Sequence, residues 1–515
     1  MTKTLLPAIL FSFLSLIQLN GQVVVDSSEF YWNREIKGMV LDLDKKIPLP
    51  YANIYVLNKN KGVITNQEGH FTMDISGLKG TDTIRFQYIG YKTRLLAIDQ
   101  LDTSLLVYLK EEIINLNELI IFGDVPDLKT IVKNVLVYKD SNYRKTTSKQ
   151  QTFIREREIA DLNQFKLNYK KSTIDELDRE MIKSIEDKTP DYVASYTDFL
   201  GYYYSNKNMD DSIKQKIDPI RMVTLREEYL EDLKQLETLF ESILAETKED
   251  EYWKVRSGVF GSKLDLEEDT VEFEIDSLVE NRRKTSSYAR YIKYLMAYST
   301  FDNKDQWEFL HKTGKYEYTL AGGTKLNDED VYIIDFEPTS SGLYIGRLYI
   351  SVNSYALIRA DYKYAPEKIG RDIHLLGVGY TENQFSGSIY FEKDYDHYVL
   401  KYFSYRFGYT ASVDRKLALM KKKKRWLFDK KLKELKIGLE LLVNIEESIE
   451  LLVIDETEIP NQQFERFDQP EYIDIIYVDQ FDENLWKGYS IIEPVEQMKE
   501  YKKYQAGFTD LKTIN

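Results

Sequence analysis

The densest charge in the chain is the run Lys421-Lys422-Lys423-Lys424-Arg425-Trp426, continued by Leu427, Phe428, Lys430, Lys431 and Lys433. Ammonium and guanidinium groups attract anionic head groups, each adding about 1 kcal/mol near a charged surface, and Trp426 and Phe428 suit the boundary between head groups and acyl chains. The alternative is a solvated helix face neutralised by the acidic stretch 445–458, IEESIELLVIDETE. A second charged constellation, Arg155-Glu156-Arg157, has the chemistry to grip an anion and equally reads as a solvated, self-paired strand edge.

Catalytic groups are harder to find. The 4 histidines are His70, His311, His374 and His397. A carboxypeptidase-type zinc site needs a Glu three residues from a His, plus a distant His. Three residues beyond these histidines stand Met73, Gly314, Gly377 and Leu400. No pair is spaced for a helical HExxH site. Cysteine is absent, which removes disulfides, thiolate metal sites, Cys nucleophiles and a Cys-linked lipid anchor. No GxSxG elbow occurs, AGGTK at 321–325 lacks the order of a P-loop, and Asn327-Asp328-Glu329-Asp330 lacks the Gly and terminal Glu of an EF-hand loop. Asp and Glu total 85, so an acid–base pair stays open, but nothing singles one out. No catalytic, cofactor-binding or metal-binding residue is assigned, and no cofactor. The expected class is non-enzymatic.

The elements that must position these groups follow from composition. The 515 residues are 43% hydrophobic and 30% charged, enough for a core and for several domains. The 40 Tyr and 24 Phe, against 11 Pro, point to long strands with half-wet faces. A net charge of −15 argues against nucleic acid as a partner. Residues 1–21 read as a signal peptide: Lys3 leads an apolar stretch from Leu5 to Leu19, and Gly21 suits a cleavage site. No later segment is apolar enough for a spanning helix. The expected address is exported, periplasmic or associated with the outer membrane.

Residues 35–122 alternate as a seven-stranded antiparallel β-sandwich. Ala52, Ile54 and Val56 share a face, as do Phe71, Met73 and Ile75, and Ile84, Phe86 and Tyr88; LLVYL (105–109) and ELIIF (118–122) close the set. The segments PLPYANI, GVITNQEGHF, YIGYKT and LNELII resemble the carboxypeptidase-like regulatory domain, prealbumin- or transthyretin-like, of exported Bacteroidetes proteins. That resemblance implies a sandwich that accompanies enzymes and outer-membrane receptors without doing chemistry itself.

Residues 123–310 read as a mainly helical connector. Asp127 caps an amphipathic helix over 127–143, and 219–248 carries Met222, Val223, Tyr229, Leu230, Leu233, Leu236, Phe240, Ile243 and Leu244 at helical spacing. Between them TFIREREIADLNQFKLNYKKSTIDE suggests a strand pair with charged outer faces. Residues 311–515 form a Tyr-rich antiparallel β-meander, holding the basic segment 421–433 and a C-terminal tail. Its links are Ala321-Gly322-Gly323, Asn353-Ser354 and Asp394-Tyr395-Asp396. In its last strand Tyr398, Leu400 and Tyr402 share one face, and Val399, Phe403 and Tyr405 the other, so both faces are apolar and must be covered. GRLYISVNSYALIRADYKY resembles the hairpin of periplasmic half-barrels that carry lipoproteins or lipids. FDENLWKGYSIIEPVEQMKEYKKY and NYRKTTSKQQTFIRERE resemble segments of long Bacteroidetes proteins bearing the same sandwich, which implies architecture and location only.

The fold class expected is thus α+β, mostly β, with a half-barrel-like C-terminal domain. The first functional reading is an interaction or assembly module at the periplasmic face of the outer membrane, its partner an envelope protein or an anionic lipid surface. The second is a carrier of a lipid or other apolar ligand. The third is a hydrolase with an unlocated carboxylate pair. A continuous apolar cavity between sheet and helix points to the second, and a filled sheet with an exposed aromatic patch to the first. Two carboxylates about 5–10 Å apart in a cleft point to the third. Oligomeric state is left open.

Overall fold

Alternating apolar residues between turn residues build the first unit. Its strands are β1 (Glu35–Asp42), β2 (Asn53–Val56), β3 (Gly62–Ile64), β4 (His70–Asp74), β5 (Thr83–Gln87), β6 (Arg94–Ala97) and β7 (Ser104–Leu109). They form two sheets, ordered β4-β1-β7 and β3-β2-β5-β6. Ile54, Val56, Phe71, Met73, Ile84, Phe86 and Val107 fill the space between them. β1 and β7 run parallel, so the sandwich is not wholly antiparallel. The computed structural model describes residues 30–31, 35–59, 61–102, 104–112, 127–207, 213–225, 239, 242–244, 247–248, 250–257, 260–264, 282–326, 329–426 and 428–501. The signal segment 1–21, the ELIIF stretch and most of 226–248 lie outside them.

The rest of the chain is organised by one 15-stranded sheet. In chain order its strands are β8 (Ser148–Ser172), β9 (Tyr192–Lys207), β10 (Ile213–Leu225), β11 (Glu251–Ser257), β12 (Phe260–Leu264), β13 (Arg282–Lys284), β14 (Tyr316–Leu326) and β15 (Glu329–Pro338). They continue as β16 (Tyr344–Ser351), β17 (Leu357–Tyr364), β18 (Asp372–Leu375), β19 (Val378–Asp394), β20 (His397–Lys423), β21 (Lys430–Glu458) and β22 (Tyr472–Val478). The spatial order is β13-β22-β10-β9-β8-β21-β20-β19-β17-β16-β15-β14, with β11 joining β20 to β12 and β18 on β19. The sheet is open, since β13 and β14 do not pair.

This corrects the division at residue 310. The supposed helical connector supplies β8, β9 and β10, and β8 lies beside β21 over its whole length. TFIREREIADL is one continuous strand in the middle of the sheet rather than a strand pair, because its charges have partners on both faces. Met222 and Val223 belong to β10, not to a helix. The helix after Asp127 does form: α1 (Leu128–Val137) and α2 (Lys139–Asn142) follow it, and the Asp127 carboxylate accepts from the Thr130 N–H at 3.1 Å.

One face of the sheet is aromatic. On it pack α1, α4 (Thr285–Met296), the turn Ala297–Thr300 and α5 (Glu308–His311). Phe309 stacks on Phe336 at 4.4 Å, and Tyr298 lies over Phe403 and Tyr405 at 5.5 and 5.3 Å. A second, smaller core forms further along the long strands, where α3 (Arg179–Lys188) brings Ile182 to Ile174, Leu177, Trp253 and Leu435.

The phase of β20 differs from the simple alternation. Tyr390 pairs with Tyr402 and Phe391 with Leu400, so Lys401 is an inserted bulge residue. The extra residue brings Tyr398 and Leu400 onto the same aromatic face as Phe403 and Tyr405. Tyr402, and Val399 before the bulge, turn to the other face, which is polar. The apolar demand is therefore one-sided, and the sandwich covers the polar side.

Candidate functional site

One row of side chains crosses eight neighbouring strands on the face turned to the sandwich. In register it reads Asp335, Arg347, Asp361, Ser388, Ser404, Glu450, Arg155 and Asp198. Arg347 grips Asp335 with two bonds of 2.6 and 2.9 Å. Asp361 accepts from the Ser388 hydroxyl at 2.6 Å and from Arg359 at 2.8 and 3.1 Å. At the other end Arg155 holds Asp198 by two bonds of 2.7 Å and donates to the Ile492 carbonyl at 2.9 Å. Burial pushes the Glu450 carboxyl up from its ordinary range, against the pull of Arg155. The small serines in the middle leave a cleft of 470 Å³ beneath Tyr51 and Gln67, with Arg347 and Lys363 on its wall.

The lid of this cleft is built by two loops. In the turn after β3, the side-chain Oδ1 of the buried Asn66 accepts from the N–H groups of Glu68 and His70, both at 2.9 Å, and its Nδ2 donates to the Pro494 carbonyl at 3.2 Å. Gly69 closes the turn at φ 78°, where a Cβ would meet the Val40 carbonyl at 2.9 Å. Arg406 reaches up to Gln67 at 2.6 Å, and the Glu496 N–H donates to Glu68 at 3.2 Å. Tyr51, at φ 61°, projects from the sandwich and stacks on Tyr402 at 4.4 Å. Burial raises its phenol to about 12. Arg359 donates to the Tyr88 hydroxyl at 2.9 Å while lying 4.4 Å over its ring. These contacts clamp sandwich, sheet and the segment 480–501 together.

Arg155-Glu156-Arg157 thus sits in a central strand and its charges are engaged, which overturns the solvated-edge reading. Arg155 and Arg157 face the sandwich side, Arg157 bonding Glu446 and, at 2.9 Å, Gln497. Glu156 faces the helices, accepting from the hydroxyls of Tyr288 and Tyr291 at 3.0 Å each. Burial raises the Glu156 carboxyl, with Arg283 opposing.

The basic run is not on a helix, and its counter-charges are not those of 445–458. Lys421 to Lys423 end β20, and Lys430 begins β21, so Lys424, Arg425, Trp426, Phe428 and Asp429 lie at the tip of a long hairpin. Lys421, only 7% exposed, pairs with Glu251 at 3.1 Å, and Lys423 with Asp250 at 2.7 Å. Glu434 receives Lys171, Lys431 and Lys436 at 2.6, 2.8 and 3.1 Å. Burial alone would raise its carboxyl, but these three bonds hold it at about 2. At the apex Trp426 is 95% and Phe428 84% exposed. Of the six residues singled out in the sequence, Lys421 and Lys423 are therefore structural, Lys422 lies near the end of its strand between Tyr252 and Lys431, and Lys424, Arg425 and Trp426 stand at the tip.

Comparison with known proteins assigns the first unit. Residues 36–121 match the CarboxypepD_reg-like domain family. No curated protein matches the chain. Among solved structures it is similar to MucB in complex with MucA(peri), at 7% identity and a TM-score of 0.17, covering 61% of this chain and 94% of that one. It is also similar to the LolA superfamily protein NE2245 from Nitrosomonas europaea, at 8% identity and a TM-score of 0.14, covering 66% and 98%. Likenesses of this size carry no argument about function.

The CarboxypepD_reg-like domain contributes Tyr51, Asn66, Gln67 and Tyr88 to the junction, and three of these lie in the PLPYANI and GVITNQEGHF segments. The row beneath it was missed in the sequence. Its signal was present as single charges within aromatic strands: Asp335 in VYIIDFEP, Arg347 in IGRLYISV, Arg359 and Asp361 in LIRADYKY. Among the described residues no group of three His, Cys, Asp or Glu side chains is placed to hold a metal ion, and no helix is long and apolar enough to cross a membrane.

Proposed function

We propose that this chain is a non-enzymatic interaction module of the cell envelope, acting at the periplasmic face of the outer membrane. The observation that carries the reading is the junction. The CarboxypepD_reg-like domain, the sheet and the segment 480–501 are locked by Tyr51–Tyr402, Arg359–Tyr88 and Asn66–Pro494. The result is a fixed scaffold whose buried Asp198, Glu156 and Glu450 are occupied in holding it together. A scaffold of this kind presents surfaces and hairpin tips in constant geometry, which suits docking.

The carrier reading has one supporting observation, a 490 Å³ cavity between α2, the turn Ala297–Thr300 and the sheet, walled by Met296, Phe301, Phe391 and Leu400 and rimmed by Arg144 and Glu456. Native mass spectrometry of the chain purified gently from its own envelope separates the two. A bound protein without a small-molecule adduct supports docking. A retained lipid mass moves the carrier reading ahead, and a bare monomer that turns over a substrate in screening refutes both.

A further inference from the structure

We propose that the tip of the β20–β21 hairpin is a docking surface for an anionic lipid bilayer, with Lys422, Lys424, Arg425 and Lys430 meeting head groups and Trp426 and Phe428 entering the interface. This deepens the envelope reading by naming a partner, and it rests on that reading.

The first argument is the register. Lys421 stands opposite Lys433, Lys422 opposite Lys431, and Lys423 opposite Lys430, three successive lysine–lysine rungs. Like charges directly opposed destabilise a strand pair. The fold relieves part of this with Glu251, Asp250 and Glu434, which take up Lys421, Lys423 and Lys431. Among the described residues, the side chains of Lys422, Lys424, Arg425 and Lys430 have no acidic partner. A residual repulsion retained at a hairpin end is relieved when an external anionic surface arrives.

The second argument is that the apex is held open. The Lys424 N–H donates to the Asp250 carbonyl at 2.7 Å, the Tyr252 hydroxyl to Asp429 at 2.5 Å, and the Arg425 N–H to Asp429 at 3.3 Å. These bonds fix the turn while leaving both rings in water. An exposed Trp at the apex of a fixed basic turn has the amphipathic chemistry of a membrane boundary, where the ring sits at head-group depth. The third argument is charge. Residues 421–434 hold eight basic and two acidic side chains, +6, in a chain of −15. The hairpin end is thus the part of this acidic protein that an anionic surface attracts.

The test is co-sedimentation of the full chain with phosphatidylglycerol–phosphatidylcholine vesicles and with phosphatidylcholine alone, followed also by tryptophan emission. Wild type is expected to bind the anionic vesicles, to release at high salt, and to shift its emission to the blue. Replacing Lys422, Lys424, Arg425 and Lys430 by Gln is expected to lower partitioning about 100- to 1,000-fold. Trp426→Ser with Phe428→Ser is expected to leave weaker, salt-labile binding without the blue shift. Lys422 and Lys430 belong to the like-charge rungs and the other side chains are at the tip, so both variants should melt no lower than wild type does. Equal binding to neutral vesicles, unchanged binding by either variant, or binding to soluble polyphosphate without binding to vesicles overturns the proposal. If it falls while native mass spectrometry still finds a protein partner, the envelope reading stands and only the lipid surface is lost.

Discussion

Asp198→Asn is the sharpest probe of the row that runs beneath the sandwich. Arg155 and Asp198 are both buried, joined by two bonds of 2.7 Å, and the change is nearly isosteric. It turns an amide N–H₂ toward a guanidinium that has nowhere to find water. Removing one partner of a buried pair costs about 3–5 kcal/mol. Glu450, next in the row, offsets part of this, so about 3 kcal/mol is expected. For a unit as large as this sheet that is a fall in Tm of about 4 °C. Differential scanning calorimetry at neutral pH reads it, with urea midpoints as a second measure. Replacing both residues by apolar ones, Arg155→Met with Asp198→Leu, should recover part of the loss, because the pair is removed together while Glu450 and the Ile492 carbonyl lose Arg155. An Asp198→Asn variant that melts with wild type, or a double variant as unstable as the single one, would refute the reasoning.

Three further outcomes are expected. Glu434 is held at about 2 against an ordinary 4.5, so its contribution is complete above the ordinary value and is lost as pH falls from there toward 2; Glu434→Gln should lower Tm at pH 7 and remove the difference from wild type at pH 2, and an equal deficit at both would sink this. Gly69→Ala should cost about 1–2 kcal/mol through its left-handed φ and the contact with the Val40 carbonyl, and limited proteolysis should then cut between the sandwich and the sheet sooner. Val56→Asp places a charge in the sandwich core and should unfold that unit while the large sheet keeps its own transition; a variant with both transitions intact would show that Val56 faces solvent.

Much of the fold can be read from residues, with limits that have physical causes. Alternation located the sandwich core, since Ile54, Val56, Phe71, Met73, Ile84 and Phe86 are all interior. The meander hairpins turn at Asn353-Ser354 and at Asp394-Tyr395-Asp396, because a tight link between two aromatic strands leaves few other ways to pair. The strands β8 and β9 were harder, for their charged residues find partners only across the sheet, and a partner in β21, far along the chain, leaves no local mark. The single residue Lys401 reversed the faces of β20, and no periodicity rule foresees a bulge. The basic run showed its composition but not its geometry: Glu251, Asp250 and Glu434 divide it into a neutralised stem and a free apex, and only the pairing register reveals that division.

The length of the β20–β21 hairpin has an electrostatic consequence. Apart from 421–434 the chain carries −21, a charge that an anionic surface repels. From Ser404 in the polar row to Lys424 the strand runs about 65 Å at ~3.3 Å per residue. The screening length of physiological saline is about 8 Å. β8 and β11 run out beside the hairpin almost to its end, so it is the junction with the sandwich, not the whole body, that stays roughly eight screening lengths behind the tip.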